Sequence, residues 1–402
     1  MNLIAAVLLF CGLSLSSLYV FPSGQPQPGD FLLLGFAGVM SLACLGDERL
    51  ELSPFALCWL LMVLWVLLVC LGWALVMETM TFFRYSAFFF YNFLVGVALL
   101  RFLRVSGDAS RILIRNALSI ALLLSAATVA AQLGTGAIRT TGSFNNPNQL
   151  AYFALCGMVA LMLLDDFRPP LRPLMLAGLA AAVISILAAS SLGALGGALL
   201  VGFGWVIANA GKLRYFARLL LVVPLLLTVV LVANLRSDGQ VQQNLLTRLE
   251  RAPVKVERMV EERRFDRLSH FPEYAILGAA EGERQRFAPY HSDEIHSSFV
   301  SMLFSYGIPG LGLFLATIFV ALRRAPLYVW AGVAGPLIYS LSHYGLRSTL
   351  FWMVLVLCWH CYRDGRAEQR SAVVTPPALS EPEPWGRQSD LPGTSRVENG
   401  QP

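Results

Sequence analysis

The residues best placed to do chemistry are a histidine with a carboxylate two positions before it and two serines directly after it. They read Glu294-Ile295-His296-Ser297-Ser298-Phe299, followed by Tyr306-Gly307-Ile308-Pro309-Gly310. They stand where a charged stretch runs into an apolar one, a junction where an ionisable residue is unusual. Ser297 or Ser298 can cap the helix that the apolar run predicts. The free N–H groups and positive dipole end of that helix favour an anion beside it. The dipole also opposes protonation of His296, whereas Glu294 favours it. A neutral imidazole there can take the proton of a hydroxyl group, which is general-base chemistry. These residues alone leave a second role open, in which His296 only caps a helix at an interface.

A second constellation is Gly142-Ser143-Phe144-Asn145-Asn146-Pro147-Asn148-Gln149-Leu150. Asn146 before Pro147 is a good helix start, an N-cap followed by proline at the first helical position, so Pro147 has a structural explanation. Asn148 has an amide that can also face a polar cavity. His270 and His291 have no motif around them, and His360 lies near the end of an apolar run. All seven cysteines sit inside apolar runs, where an oxidising compartment would not pair them. Cys358 and Cys361 are three apart but lack a second pair, which favours a structural place in a helix over a metal site. With no glycine-rich phosphate loop and no Asp-x-Asp cluster, we expect neither a metal nor a cofactor.

The elements that must position these residues are membrane helices. Hydrophobic residues make up 56% of the chain and charged ones only 14%, outside the range of a soluble domain. The arginines behind the net charge of +5 are dispersed between apolar runs and form no basic stripe, which argues against nucleic acid as a partner. A hydrocarbon layer takes about 20 apolar helical residues to cross. Apolar windows fall at 1–20, 31–45, 54–76, 82–100, 113–133, 149–164, 174–189, 192–208, 219–233, 298–322, 327–341 and 349–360. The expected fold is an all-α polytopic membrane protein, a bundle of about twelve transmembrane helices with one long outer loop. The first window has no Lys or Arg ahead of it and no convincing cleavage site, so it reads as a span and not a signal peptide.

Orientation follows from the short loops. Arg101, Arg104, Arg111 and Arg115, then Arg168 and Arg172, then Lys212, Arg214 and Arg218, then Arg323 and Arg324 fall on one side, the cytoplasmic one. The alternate turns at 21–30, 76–81 and 190–191 carry no Lys or Arg, so both termini are expected inside. Within the transmembrane domain 1–362, residues 234–296 form a long, densely charged loop on the outer, periplasmic side. Residues 242–265 in it repeat apolar side chains at helical spacing, which predicts an amphipathic helix on the outer face of the bundle. Residues 363–402 are rich in Pro, Ser, Gly and Glu without apolar periodicity and read as a disordered cytoplasmic tail.

A His followed by Ser or Asn, nine residues and then Gly-x-x-Gly is the hallmark of the O-antigen ligase and O-antigen polymerase family. His296-Ser297, residues 298–306 and Gly307-Ile308-Pro309-Gly310 match it without a gap. The Gly142–Leu150 segment resembles the family's Gly-x-Phe-x-Asn-Pro-Asn. The resemblance covers most of residues 113–361. It implies a metal-independent glycosyltransferase of the bacterial inner membrane, with its site on the periplasmic face. The donor would be a saccharide on polyprenyl diphosphate, and the acceptor a lipid-linked repeat or the lipid A core.

On that reading His296 with Glu294 is catalytic, and Asn146, Pro147, Asn148, Ser297, Gly307 and Gly310 are the motif's supports. Guanidinium groups suit a leaving diphosphate. Relatives place functional arginines in the long loop, which favours Arg264 and Arg267 among Arg263, Arg264 and Arg267; Arg139 and Arg347 are the other candidates. One departure is the turn Ser191-Leu192-Gly193, where many relatives have an arginine in the middle. The wording of the motifs is closer to polymerases of O-antigen or exopolysaccharide repeats than to ligases onto the lipid A core. Outside the family, a bundle of this kind also suits a transporter or a membrane scaffold, but ionisable residues able to couple ions are scarce in the spans.

The arginine distribution makes a direct prediction. Alkaline phosphatase fused within residues 285–291 should be active and fused after Arg366 inactive; the reverse pattern would put His296 in the cytoplasm.

Overall fold

Prolines and small polar caps set where the helices begin. Asn2 accepts the N–H groups of Ile4 (3.1 Å) and Ala5 (3.3 Å) at the start of α1 (Leu3–Leu15). Proline opens α2 (Pro28–Leu42), α3 (Pro54–Met77), α5 (Pro147–Leu164) and α6 (Pro173–Ala188), where its missing N–H would have had no intrahelical partner anyway. The computed structural model describes residues 2–22, 24–43, 53–132, 139–168, 172–210, 239–290 and 293–363, with Leu231 and Leu235.

Among these residues the secondary structure is helical, without strands. The windows at 82–100 and 113–133 lie on one long element, α4 (Thr81–Gln132), whose helical path is interrupted at Gly107 (φ 51°, ψ −132°) between them. The remaining bundle helices are α7 (Leu192–Asn209), α13 (Ser298–Leu322), α14 (Leu327–Tyr339) and α15 (Thr349–Tyr362). Five of the described helices, α3, α4, α5, α7 and α13, are long and apolar enough to cross a membrane; α1, α2, α6, α14 and α15 are shorter apolar helices. The expected span at 219–233 and the tail from 364 onwards lie outside the described residues.

The charged segment differs from the single amphipathic helix that its periodicity predicts. It folds as three short helices, α8 (Gln240–Glu250), α9 (Ala252–Glu257) and α10 (Met259–Glu262). Pro253 is the local reason, since proline is tolerated in the first turn of a helix but not in its interior, so the helix restarts there. Leu246, Leu249, Val254 and Val260 stay exposed along it. Two further single turns, α11 (Arg267–His270) and α12 (Tyr274–Leu277), follow before α13.

Helices α7 and α14 pack closely along their length, because a Cβ at Gly335 would sit 2.6 Å from the carbonyl oxygen of Gly197. Polar groups collect at opposite ends of the shared helices. At one end, Arg115 pairs with Asp165 (3.0 Å), and Asp166 accepts the hydroxyls of Tyr328 (2.9 Å) and Tyr362 (2.7 Å). At the other end stand Asn146 and Asn148 at the start of α5, Tyr339 at the end of α14, and His296 before α13. The 18 residues of α5 separate the two by roughly 27 Å, about the thickness of a hydrocarbon core.

Candidate functional site

His296 is exposed immediately before Ser297, the N-cap of α13, whose hydroxyl accepts the N–H of Val300 at 3.3 Å. The start of that helix is stitched to the turn between α14 and α15. Ser298 donates its N–H to the carbonyls of Ser340 (2.9 Å) and His343 (3.2 Å), and its hydroxyl accepts the N–H of Gly345 (2.9 Å). His296 itself donates its backbone N–H to the carbonyl of Arg263 (3.2 Å). Its ring Nδ1 lies 2.7 Å from the backbone carbonyl oxygen of Glu294. A carbonyl only accepts, so Nδ1 carries the proton, which leaves Nε2 as the ring nitrogen that can serve as a general base. Glu294 thus meets His296 through its backbone and not, as the sequence suggests, through its carboxylate.

That carboxylate belongs to a second cluster. Arg347 donates to Glu294 Oε1 (2.6 Å) and to the buried Glu281, which also accepts the hydroxyl of Tyr344 (2.7 Å). Arg284 lies 3.8 Å from the other oxygen of Glu294. The Arg347 guanidinium is packed over Tyr344 (4.7 Å), Tyr85 (5.2 Å) and Phe88 (5.6 Å). Burial opposes its charge, yet Glu281, Tyr344 and Glu294 outweigh that and hold its pKa above the usual arginine range. Burial pushes the Glu281 carboxyl up, and Arg347 only partly offsets it.

Glu281 reaches this position because α13 is broken. Gly307 has φ 69° and ψ −175°, a conformation essentially confined to glycine. Pro309 has no N–H for the carbonyl of Ser305, and that carbonyl takes the N–H of Ala280 (2.8 Å) instead. Ala279 donates to Phe304 O (2.9 Å), and the indoles of Trp65 and Trp73 donate to Tyr306 O (2.7 Å) and Gly278 O (3.0 Å). Residues 278–280 therefore dock into the break. The Gly-x-x-Gly half of the motif is architectural, and Gly310 meets Tyr306 where any Cβ would lie 2.4 Å away.

The arginines divide into two groups. Arg264 pairs with Asp293 (2.9 Å). Arg267 is buried, donates to the Asp293 carbonyl and lies over Phe287 (5.1 Å) and Phe304 (5.5 Å); burial, then the charges of Arg284 and Arg264, push its pKa down to about 10. Of the four arginines expected to hold a diphosphate, Arg264 and Arg347 are thus paired with carboxylates and Arg267 is buried against aromatic rings. Arg139 is placed differently. Its Nε donates to Ala189 O (2.8 Å) and its Nη2 to the Asn148 amide oxygen (3.0 Å), while burial and then Arg248 push its pKa down to about 10.

Among the described residues, Arg139, Arg248 and Arg263 form no ion pair with a carboxylate, and all three lie within electrostatic reach of the Tyr339 hydroxyl. That hydroxyl accepts from Ser191 (3.0 Å), the first residue of the Ser-Leu-Gly turn, and contacts Asn148 O (3.4 Å). Asn146 caps α5 by accepting Gln149 N–H (2.9 Å), with Pro147 at the first position.

Two members of this group escape sequence reasoning. His343 stacks on Tyr339 (5.3 Å, 11° between planes) with Tyr152 at 5.1 Å, and burial, then Arg263 and His296, push its pKa down to about 3, so it stays neutral. Its signal in the sequence is slight, a lone histidine after an apolar window. Arg248 sits in a charged helix that offers no motif. His270 stacks on Tyr290 (4.1 Å), away from this group, and His291 lies outside the described residues. No three His, Cys, Asp or Glu side chains gather as metal ligands among the described residues. No protein-family model matches the chain, and no curated protein matches it.

If Gly307 exists to admit residues 276–280, Gly307→Ala should be strongly destabilising. Its Cβ would fall 2.3 Å from Ile276 O in a backbone conformation that L-residues avoid, whereas a Cβ at Gly312 meets nothing within 4 Å. Thermal unfolding of the two detergent-solubilised variants checks this: Gly307→Ala should lose several degrees of Tm, and Gly312→Ala should match the parent.

Proposed function

We propose that the chain is an inner-membrane glycosyltransferase that moves a saccharide from polyprenyl diphosphate to a sugar hydroxyl at the periplasmic face. The observation that carries this reading is that His296 and three arginines without a carboxylate partner among the described residues, Arg139, Arg248 and Arg263, all act on the stacked rings of Tyr339 and His343. The acceptor hydroxyl gives its proton to Nε2 while its oxygen bonds to the anomeric carbon. The bond from that carbon to the diphosphate breaks, and the departing polyprenyl diphosphate gains one negative charge. Unneutralised guanidinium groups at that point stabilise the growing charge more than the ground state. Proton transfer to a positioned base contributes a further ~10²- to 10⁴-fold. The histidine and serine motif with its Gly-x-x-Gly partner, and their resemblance to the O-antigen ligase and polymerase family, support the same assignment.

The topology that goes with this function has about twelve crossings and both termini in the cytoplasm, which places the Asn146, Tyr339 and His296 end outside and the Arg115 and Asp165 end inside. Within the family we favour repeat-unit polymerisation. A polymerase seats two lipid diphosphates, and three arginines without a carboxylate partner among the described residues suit that load better than the single donor of a ligase onto lipid A core. Transport is the reading from another class. It fits less well, because the uncompensated charge lies at one end of the bundle and not midway along it.

Purified protein in lipid, given one radiolabelled lipid-linked repeat and no other acceptor, should build a ladder of longer lipid-linked chains. His296→Ala should remain folded and lower kcat by about two to four orders of magnitude, the usual loss on removing a general base. Transfer only onto added lipid A core would make the chain a ligase, and undiminished transfer by the variant would reduce His296 to a helix cap.

A further inference from the structure

We infer that Arg347 and Glu281 are positioning residues for His296, acting through Glu294 to hold its ring with Nε2 unprotonated. The connection runs through contacts already on the page. The proton on Nδ1 is fixed by the Glu294 carbonyl, so the ring orientation is only as secure as the backbone of Glu294. Its neighbours are held separately, Asp293 by Arg264 and Arg267 and Ile295 in the small cluster with Ala279, Phe287 and Phe304, so the contacts that act on Glu294 itself are those of its carboxylate, with Arg284 3.8 Å from one oxygen. Its side chain is tied down by Arg347 at 2.6 Å, and Arg347 in turn is held by Glu281 and by the rings of Tyr344, Tyr85 and Phe88. Glu281 is held by Tyr344 at 2.7 Å and by the pairing of Ala279 and Ala280 with Phe304 and Ser305 at the break in α13.

This arrangement gives the two halves of the motif a common purpose. Gly307 and Pro309 open α13, the opening seats residues 278–280, Glu281 follows them into the interior, and Arg347 bridges Glu281 to the residue whose carbonyl orients His296. A single nitrogen, Nη2, reaches both carboxylates, and the planar guanidinium packed over Tyr344, Tyr85 and Phe88 fixes where that nitrogen lies, which a lysine ammonium on a flexible stem does not reproduce. Arg347 is thus taken out of the set that touches a diphosphate and placed one step behind the base.

The effect of these residues on the reaction rests on the glycosyltransferase reading, whereas their effect on the ring does not, and the test separates the two. In the full chain, detergent-solubilised and labelled with ¹⁵N-histidine, the His296 resonances are identified by their loss in His296→Gln. The parent should show a single neutral tautomer protonated at Nδ1. Arg347→Lys, Glu281→Gln and Glu294→Ala should each show both tautomers, and transfer should fall by on the order of tenfold to a hundredfold in kcat with little change in KM for the donor. An unchanged single tautomer in a folded Glu281→Gln or Glu294→Ala variant overturns the inference, even if Arg347→Lys fails to fold. A parent protein that shows the fixed tautomer and its loss in the variants but transfers no sugar keeps the positioning network and overturns the enzymatic reading instead.

Discussion

A helix that turns at Gly307 and meets a proline two residues later leaves a carbonyl that must find a donor elsewhere, since a buried unpaired peptide group costs several kcal/mol in a lipid setting. The donors come from residues 25 positions earlier, where Ala279 and Ala280 lie against Phe304 and Ser305. This pairing fixes where residues 278–281 enter the bundle. From it follow the burial of Glu281, the bridge through Arg347, the seat of Glu294 and the ring orientation of His296. The second glycine of that interface, Gly278, is required for the same reason, because a Cβ there would meet Ser305 O at 2.4 Å.

Charge is divided between two tasks at this end of the molecule. Arg264, Arg284 and Arg347 are matched by Asp293, Glu281 and Glu294, and their role is to hold the outer chain in place. Arg139, Arg248 and Arg263 are left without acidic partners among the described residues, although burial and mutual repulsion make that arrangement unfavourable in Arg139. Uncompensated like charges brought together by separate elements call for an anion from outside. All three act on the Tyr339 hydroxyl, which has Ser191 and Asn148 beside it and His343 stacked on its ring.

The parts legible in the sequence are those set by local rules. Apolar windows read off one after another coincide with the described bundle helices, and caps such as Asn146 before Pro147 and Ser297 before Ser298 lie at helix starts because they satisfy N–H groups a few residues on. The break at Gly107 falls between two windows for the same reason. Where spacing misleads, a single residue or a distant partner is responsible. Apolar periodicity over 242–265 runs through Pro253, which restarts the helix. Arg347 reads as a free cation on an outer turn because its partner Glu281 lies 66 residues away, and no local pattern announces the pair. Arg248 and His343 are brought together by packing around Tyr339, so neither is marked by its neighbours in sequence.

The central proposal, that Arg139, Arg248 and Arg263 form the seat of a lipid diphosphate, is tested most directly by equilibrium binding of sugar-free polyprenyl diphosphate to the purified protein. Alanine at Arg139, Arg248 or Arg263 should weaken binding by about tenfold or more, the loss expected on removing one charge-assisted contact, and flatten its dependence on salt. Alanine at Arg264, whose charge is spent on Asp293, should leave affinity within about twofold, as for an exposed pair away from the ligand. Equal affinity across all four variants, or a loss confined to Arg264, would contradict the account.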